Sequence, residues 1–220
     1  MTIPRNRRIL QNLLTHWWFR YDQAAGQTVY DAVARNTAVL NGTSSVSSGE
    51  LVCDGGSSSR MTTTSSTGNN LYAISFWVYT PNAYSGDETT ANRGAVLAKF
   101  GSVYPFVFFG ASSSGLTGET LALHTASGQV SYIKASISIG WHHVVFNYNG
   151  SQHDIYLDGA LPTQYTQGGG AALFADTSLE WGGRSNNNQY YIGKLANIRY
   201  YFNAPLTLPE IQALNKAGRF

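Results

Sequence analysis

Short runs in which apolar and polar residues alternate, rich in Val, Ile, Tyr, Phe and Trp, recur along the chain between clusters of Gly, Ser, Asn and Thr. A period of two is that of a strand with one buried face, and many such runs set between turn residues predict an all-β sandwich or barrel. The clearest runs are 71–79, 94–100, 105–110, 120–125, 129–136, 141–148, 153–157, 179–182 and 193–202. Asn149-Gly150-Ser151 separates two of them and predicts a hairpin whose register the turn fixes. Residues 43–70 are rich in Ser and Thr but contain the strand-like segments 50–54 and 60–64, so no linker divides the chain and one domain is expected.

Two segments depart from this period. Ile9, Leu10, Leu13 and Leu14 lie at helical spacing after Pro4, which suits a short helix or an extended arm. Thr207-Leu208-Pro209-Glu210 places a cap residue before Pro and a Glu three positions on, and Ile211 and Leu214 follow at helical spacing until Gly218, so a helix is predicted over 207–217.

Composition narrows the function. Charged residues make up 12% of the 220, against about 25% in an average globular protein, and the formal net charge is +2. Such a balance supplies no field for steering toward nucleic acid or an anionic membrane, so neither is expected as a partner. Cys53 is the only cysteine, which excludes an intrachain disulfide and a four-Cys zinc site. Arg5, Arg7 and Arg8 precede a segment too short and polar for a signal-peptide core, and the N-terminus reads as mature sequence. No run approaches 18 consecutive apolar residues.

Trp141-His142-His143-Val144-Val145-Phe146-Asn147-Tyr148-Asn149-Gly150, followed by Tyr156-Leu157-Asp158-Gly159, resembles the central hairpin of laminin G-like domains in the concanavalin A-like lectin/glucanase superfamily. Gly193 to Tyr201 is similar to that family's last long strand, Ala204-Pro205-Leu206-Thr207 through Ile211 to its terminal helix, and Ser75-Phe76-Trp77-Val78 to its early inner strand. His16-Trp17-Trp18-Phe19, Gly26 to Asp31 and Leu40-Asn41-Gly42 resemble its opening, so the resemblance spans roughly 13–217. It implies a jelly roll of two antiparallel sheets packed face to face; the domain is expected over 13–220, with the short C-terminal helix inside it and an N-terminal arm over 1–12 outside it.

Within that superfamily, fold and function separate, because it holds lectins, glucanases, adhesion modules and viral structural proteins. Its glucanases place two glutamates around an Asp on one strand, as nucleophile and acid. The five Glu here, at 50, 88, 119, 180 and 210, include no such pair, and Asp158 reads as turn chemistry, so a hydrolase or lyase is the weakest alternative. His142 and His143 are neighbours on a strand and point to opposite faces, so they cannot chelate one ion together, and no nucleophile-elbow signature supports a Ser-His-Asp site. Cys53, in Leu51-Val52-Cys53, reads as a small buried hydrophobe. Many relatives hold Ca²⁺ at the rim, and Asp22, Asp31, Asp54, Asp87, Glu88, Asp158 and Asp176 are acidic loop positions. The Asp-Asp pair of such relatives' last strand is Ala196-Asn197 here, so no cofactor is expected, with Ca²⁺ as the alternative.

Sugars stack their apolar face on aromatic rings and hydrogen-bond through their hydroxyls. The loop 181–191 offers that chemistry in Trp181, Arg184, Asn186, Asn187, Asn188 and Tyr190, and the long loop 79–93 adds Tyr84. Arg5, Arg7, Arg8, Ile9, Leu10 and Leu13 combine charge with an apolar stripe and are the candidate assembly contacts, toward a second copy or another subunit. The first expectation is a non-enzymatic bacteriophage virion surface protein, a capsid decoration or tail component folded in the host cytoplasm, that assembles with other virion proteins as a homo-oligomer and binds host glycans weakly. The alternative is an extracellular carbohydrate-binding lectin or adhesion domain of a cell.

Overall fold

A computed structural model describes residues 13–17, 26–30, 32, 36–63, 71–81, 94–99, 106–109, 121–125, 128–133, 137–162, 165–166, 168–169, 174, 178–185 and 189–219. In chain order the first strands are β1 (Leu13–Trp17), β2 (Thr28–Tyr30), β3 (Thr37–Asn41), β4 (Ser45–Ser47), β5 (Glu50–Asp54), β6 (Arg60–Thr63) and β7 (Tyr72–Thr80). Then come β8 (Gly94–Lys99), β9 (Phe106–Phe109), β10 (Leu121–Thr125), β11 (Gly128–Ile133), β12 (Gly140–Tyr148) and β13 (Gln152–Leu157). The chain closes with β14 (Tyr165–Thr166), β15 (Gly168–Gly169), β16 (Leu179–Trp181), β17 (Gly183–Arg184), β18 (Gln189–Tyr190), β19 (Ile192–Phe202) and a helix α1 (Leu208–Ala217).

These strands form two large antiparallel sheets and one small ribbon. The eight-stranded sheet runs β15-β13-β12-β7-β19-β5-β4 with β1 as its eighth strand beside β19, and the nine-stranded sheet β14-β11-β10-β9-β8-β16-β6-β3-β2. The long β19 pairs with β7 along one edge, while its other edge is shared: β5 meets residues 192–195 and β1 meets 198–201. Between them the β19–β7 register slips at a bulge after Ala196, where Asn197 takes a positive φ of 50°.

Alternation decides what fills the interior. Tyr72, Ile74, Phe76 and Val78 of β7, with Val144 and Phe146 of β12 and Leu195 of β19, meet Val96, Val107, Leu121, Leu123, Leu179 and Trp181 of the facing sheet in one buried cluster. The outward set of the eight-stranded sheet, Ala73, Val145, Tyr156 and Tyr201, forms a second cluster with Leu206, Ile211 and Leu214 at the helix. Asn147 ties the sheet to the helix lead-in, its amide donating to the Leu206 carbonyl at 2.6 Å while its Oδ1 accepts the Leu206 N–H at 2.9 Å.

The predicted turn and helix both form. Asn149 Oδ1 accepts the N–H groups of Ser151 and Gln152 at 3.0 and 2.9 Å, and this Asx geometry fixes the β12–β13 register from Val144↔Leu157 to Tyr148↔His153. At the helix N-terminus the Thr207 N–H and hydroxyl donate to one oxygen of Glu210, at 2.8 and 2.7 Å. The architecture is the two-sheet jelly roll with a short C-terminal helix that the sequence predicts. Residues 1–12, the expected arm, lie outside the described residues.

Candidate functional site

β16 builds the base of the rim loop that the sequence singles out. Leu179 and Trp181 point into the sandwich, so Glu180 between them points the other way, between its cross-strand neighbours Thr62 and Ala98. Glu180 is nonetheless fully buried; its Oε1 lies 2.7 Å from Arg60 Nε, and its Oε2 accepts the Ser185 N–H at 3.2 Å. This pair fixes the start of a tight hairpin in which Gly183 and Arg184 of β17 pair with Tyr190 and Gln189 of β18. Gly182 precedes it with φ +76°, so close to Cys53 Sγ that no side chain fits. Behind the hairpin, Tyr191 is fully buried, donates its hydroxyl to the Tyr79 carbonyl at 2.6 Å, and occupies the space a side chain at Gly94 would need.

Two candidate residues take a different part from the one the sequence suggests. Trp181 is 1% exposed and meets the Phe76 ring edge-on at 5.5 Å between centroids, so it anchors the core and offers no face to a sugar. Arg184 is 2% exposed and belongs to the hairpin's buried base rather than its surface. Tyr190 and Gln189 are half-buried; Gln189 Oε1 is itself shut off from solvent, so the Tyr190 ring is the surface that the described part of the hairpin presents. Asn186, Asn187, Asn188 and Tyr84 lie outside the described residues, as do Arg5, Arg7, Arg8, Ile9 and Leu10. Leu13 opens β1, opposite Tyr201 of its own chain.

Asp22, Asp31, Asp87, Glu88 and Asp176 lie outside the described residues, and the described candidates for acids, bases or metal ligands that follow are tied to the protein itself. Asp54 Oδ1 accepts from Thr43 Oγ1 at 2.6 Å and the Gly56 N–H at 2.9 Å, and these bonds hold its carboxyl below the usual range. Asp158 accepts the His143 N–H through Oδ1 and faces His142 Nδ1 at 2.8 Å through Oδ2. Asn197, at the position where such relatives carry acid, donates to the Gly218 carbonyl at 3.3 Å. Among the described residues no group of three or more His, Cys, Asp or Glu side chains could hold a shared metal ion.

His142 is placed as in a Ser-His-Asp array, with Ser138 Oγ 3.2 Å from Nε2 and Asp158 on Nδ1. The Ser138 carbonyl, however, lies 2.9 Å from the same Nε2. A carbonyl can only accept, so the Nε2 it faces carries a proton and has no lone pair with which to take one from Ser138, and the bond to Asp158 raises the imidazole's pKa. His143 points to the other face, where Ser75 Oγ lies 2.9 Å from its Nε2, and burial pushes it down to about 4. The histidine pair thus divides between two faces, as alternation requires. Neither Thr62 nor Ala98 supplies Glu180 with the second carboxylate of a glycosidase, and Glu50, on the other sheet, is held by Lys194 Nζ at 2.9 Å and Arg219 Nη1 at 3.0 Å.

The scaffold has known counterparts. Residues 54–212 match the Laminin_G_3 family of the concanavalin A-like lectin/glucanases superfamily. None of the curated protein sequences matches the chain. Among solved structures, domain 4 of AbnA, a GH43 extracellular arabinanase from Geobacillus stearothermophilus in complex with arabinotriose, superposes with a TM-score of 0.67 at 17% identity, over 93% of this chain and 98% of that one. The receptor-binding domain of botulinum neurotoxin type G gives 0.66 at 13% identity, over 94% of this chain and 51% of that one. Trypanosoma rangeli sialidase gives 0.63 at 16% identity, over 93% of this chain and 32% of the enzyme. At these identities the likeness is one of fold. With its sheets, terminal helix and matching residues in place, the chain belongs to the concanavalin A-like lectin/glucanase superfamily.

Proposed function

We propose that the protein is a non-enzymatic carbohydrate-binding module whose contact surface is the rim hairpin 183–190. The observation that carries this reading is that hairpin: a half-exposed Tyr190 ring stands on a base made rigid by Trp181, the Glu180–Arg60 pair and Tyr191. Preorganisation of this kind lowers the entropy lost on binding a flexible, weakly adhesive ligand. The arabinanase domain determined with arabinotriose shares the fold over nearly its whole length, which supports sugar as the ligand class. The occupied state of His142 and the isolation of Glu180 favour binding over hydrolysis.

Calorimetric titration with arabino-oligosaccharides, and a glycan array that includes sialosides, test it. Saturable binding should weaken roughly fivefold in Tyr190→Ala, the loss of one stacking platform of about 1 kcal/mol, with the circular dichroism spectrum unchanged. Binding indifferent to both Tyr190→Ala and Gln189→Ala, or none to any glycan, overturns it.

A role on a virion surface, with self or other virion subunits as partners, is the second reading. Its support is the lone Cys53, which is buried and whose thiol is pushed up to about 12 by burial, so that the fold closes without oxidation in a reducing cytoplasm. Light scattering in which a multimer falls to monomer when residues 1–12 are removed would sustain the assembly part of it; a monomer in both cases would remove that part.

A further inference from the structure

The outward face of the eight-stranded sheet carries polar groups that the rim hairpin does not use. Trp77 of β7 stands opposite His143 of β12 and Ala196 of β19, and Ser75, two residues earlier on the same face, stands opposite Val145 and Arg199. The Trp77 and His143 rings lean on one another with centroids 5.3 Å apart. Above them the C-terminal segment crosses the sheet: Gly218 accepts from Asn197, and the Arg219 guanidinium lies 4.4 Å over the Trp141 ring and reaches Glu50.

Three nitrogens in this patch are buried without a hydrogen-bond partner: Trp77 Nε1, His143 Nδ1 and Arg199 Nη1. Arg199 is only 7% exposed. In the tautomer whose Nε2 accepts the Ser75 hydroxyl, 2.9 Å away, the proton of the neutral imidazole sits on Nδ1, and all three orphaned atoms are then N–H donors. A buried guanidinium also requires negative charge, and among the described residues the nearby carboxylates are engaged elsewhere. Glu210 holds the helix start, Glu50 is shared by Lys194 and Arg219, and Asp158 faces His142 and the His143 N–H. Tyr201 hydrogen-bonds Arg199 but does not supply the charge, since burial lifts its phenol to about 12 and leaves a neutral hydroxyl there. A water molecule would answer the donors but not the charge; an anion answers both.

We propose that Trp77, His143 and Arg199 form a buried binding site for one small carboxylate, of about the size of formate, on the outward face of the eight-stranded sheet beneath the Gly218–Arg219 segment. Arg199 supplies the countercharge, and the indole and imidazole N–H groups fix the orientation of the two oxygens. The site is separate from the rim hairpin, whose strands β17 and β18 form a ribbon of their own next to β16 of the facing sheet.

The test uses the full chain, labelled with ¹⁵N, titrated separately with sodium formate, acetate and chloride while the indole N–H resonances and the thermal midpoint are followed. The resonance that disappears in Trp77→Phe identifies Trp77. A saturable shift of that resonance with formate, together with a saturating rise in midpoint, is expected. The rise in midpoint should need at least tenfold more formate in Arg199→Gln and several-fold more in Trp77→Phe, which keeps a ring in place and guards against a variant that fails to fold. No saturable response to any of the three salts overturns the proposal and leaves water on the donors. A response of equal strength in wild type and both variants overturns it as well, since the anion then binds elsewhere.

Discussion

Replacing Gly182 by alanine tests the joint that sets the rim hairpin on the core. Gly182 holds a φ of +76°, and a methyl group there would overlap Cys53 Sγ, while the next atom, Cys53 Cβ, would be 3.3 Å away. Forcing an L-residue into a left-handed conformation costs about 1–2 kcal/mol, and displacing a packed sulfur adds about 1–3 kcal/mol. Gly182→Ala should therefore destabilise the fold by about 2–5 kcal/mol. Cys53→Ala alone removes one buried sulfur and should cost about 1 kcal/mol. In the double variant the overlapping atom is gone and only the backbone penalty and the lost sulfur contribute, so its cost should be about 2–3 kcal/mol, well below the sum of the single variants. Guanidinium unfolding followed by tryptophan fluorescence measures all three, with an unchanged m-value as the check that the unfolded state is the same. Additivity within about 0.5 kcal/mol would refute the reasoning, because the contact with Cys53 would then carry none of the cost.

Two further expectations concern buried charge and pH. Glu180→Gln leaves Arg60 without its carboxylate and should lower stability by about 3 kcal/mol; an unchanged or raised unfolding midpoint would show that Glu180 is a strained functional acid instead of a structural one. In Asp158→Asn the partner that raises the His142 pKa is lost. The stabilisation from His142 is fully present below its unfolded value of 6.5 and fades as pH climbs through the higher folded value, whereas that from Asp158 is present above 3.8 and fades as pH falls through its lower folded value. The gap in urea midpoint between wild type and Asp158→Asn should be widest between those two reference values and narrow on the alkaline side; a gap that widens above pH 7 would contradict the assignment.

The strands with strong period-two patterns were readable because alternation, turn residues and burial agree. The run 141–148 becomes β12, and Asn149 makes the turn its position predicts. β2, β3 and β4 are harder to see: Thr28–Tyr30 and Ser45–Ser47 are three residues long, and each has a single buried position. Only partners distant in sequence give them an environment. At the rim, the aromatic content of 181–191 was visible but its orientation was misjudged for Trp181. The signal lay in the alternation itself, since Leu179 and Trp181 must share a face and Leu179 belongs to the core. Nothing comparable marked Arg184 or Glu180, whose burial depends on side chains brought in by β6 and the returning hairpin. The Trp77, His143 and Arg199 patch was also invisible in one dimension, because it gathers residues from three strands.

The shared edge of β19 governs when the molecule can become a jelly roll at all. This strand joins β5 and β1 to β7, so before it arrives the eight-stranded sheet exists as separate pieces. Tyr191, just before β19, lies 112 residues after Tyr79 in β7. At a synthesis rate of about 10 residues per second, the edge of β7 that β19 will cover stays open for about ten seconds on the ribosome. A long unpaired edge is a template for misplaced strands, and closure over such sequence distances is slow by nature. Folding yield in the cell should thus depend on what shields β7 during that interval, more than on the stability of the finished sandwich.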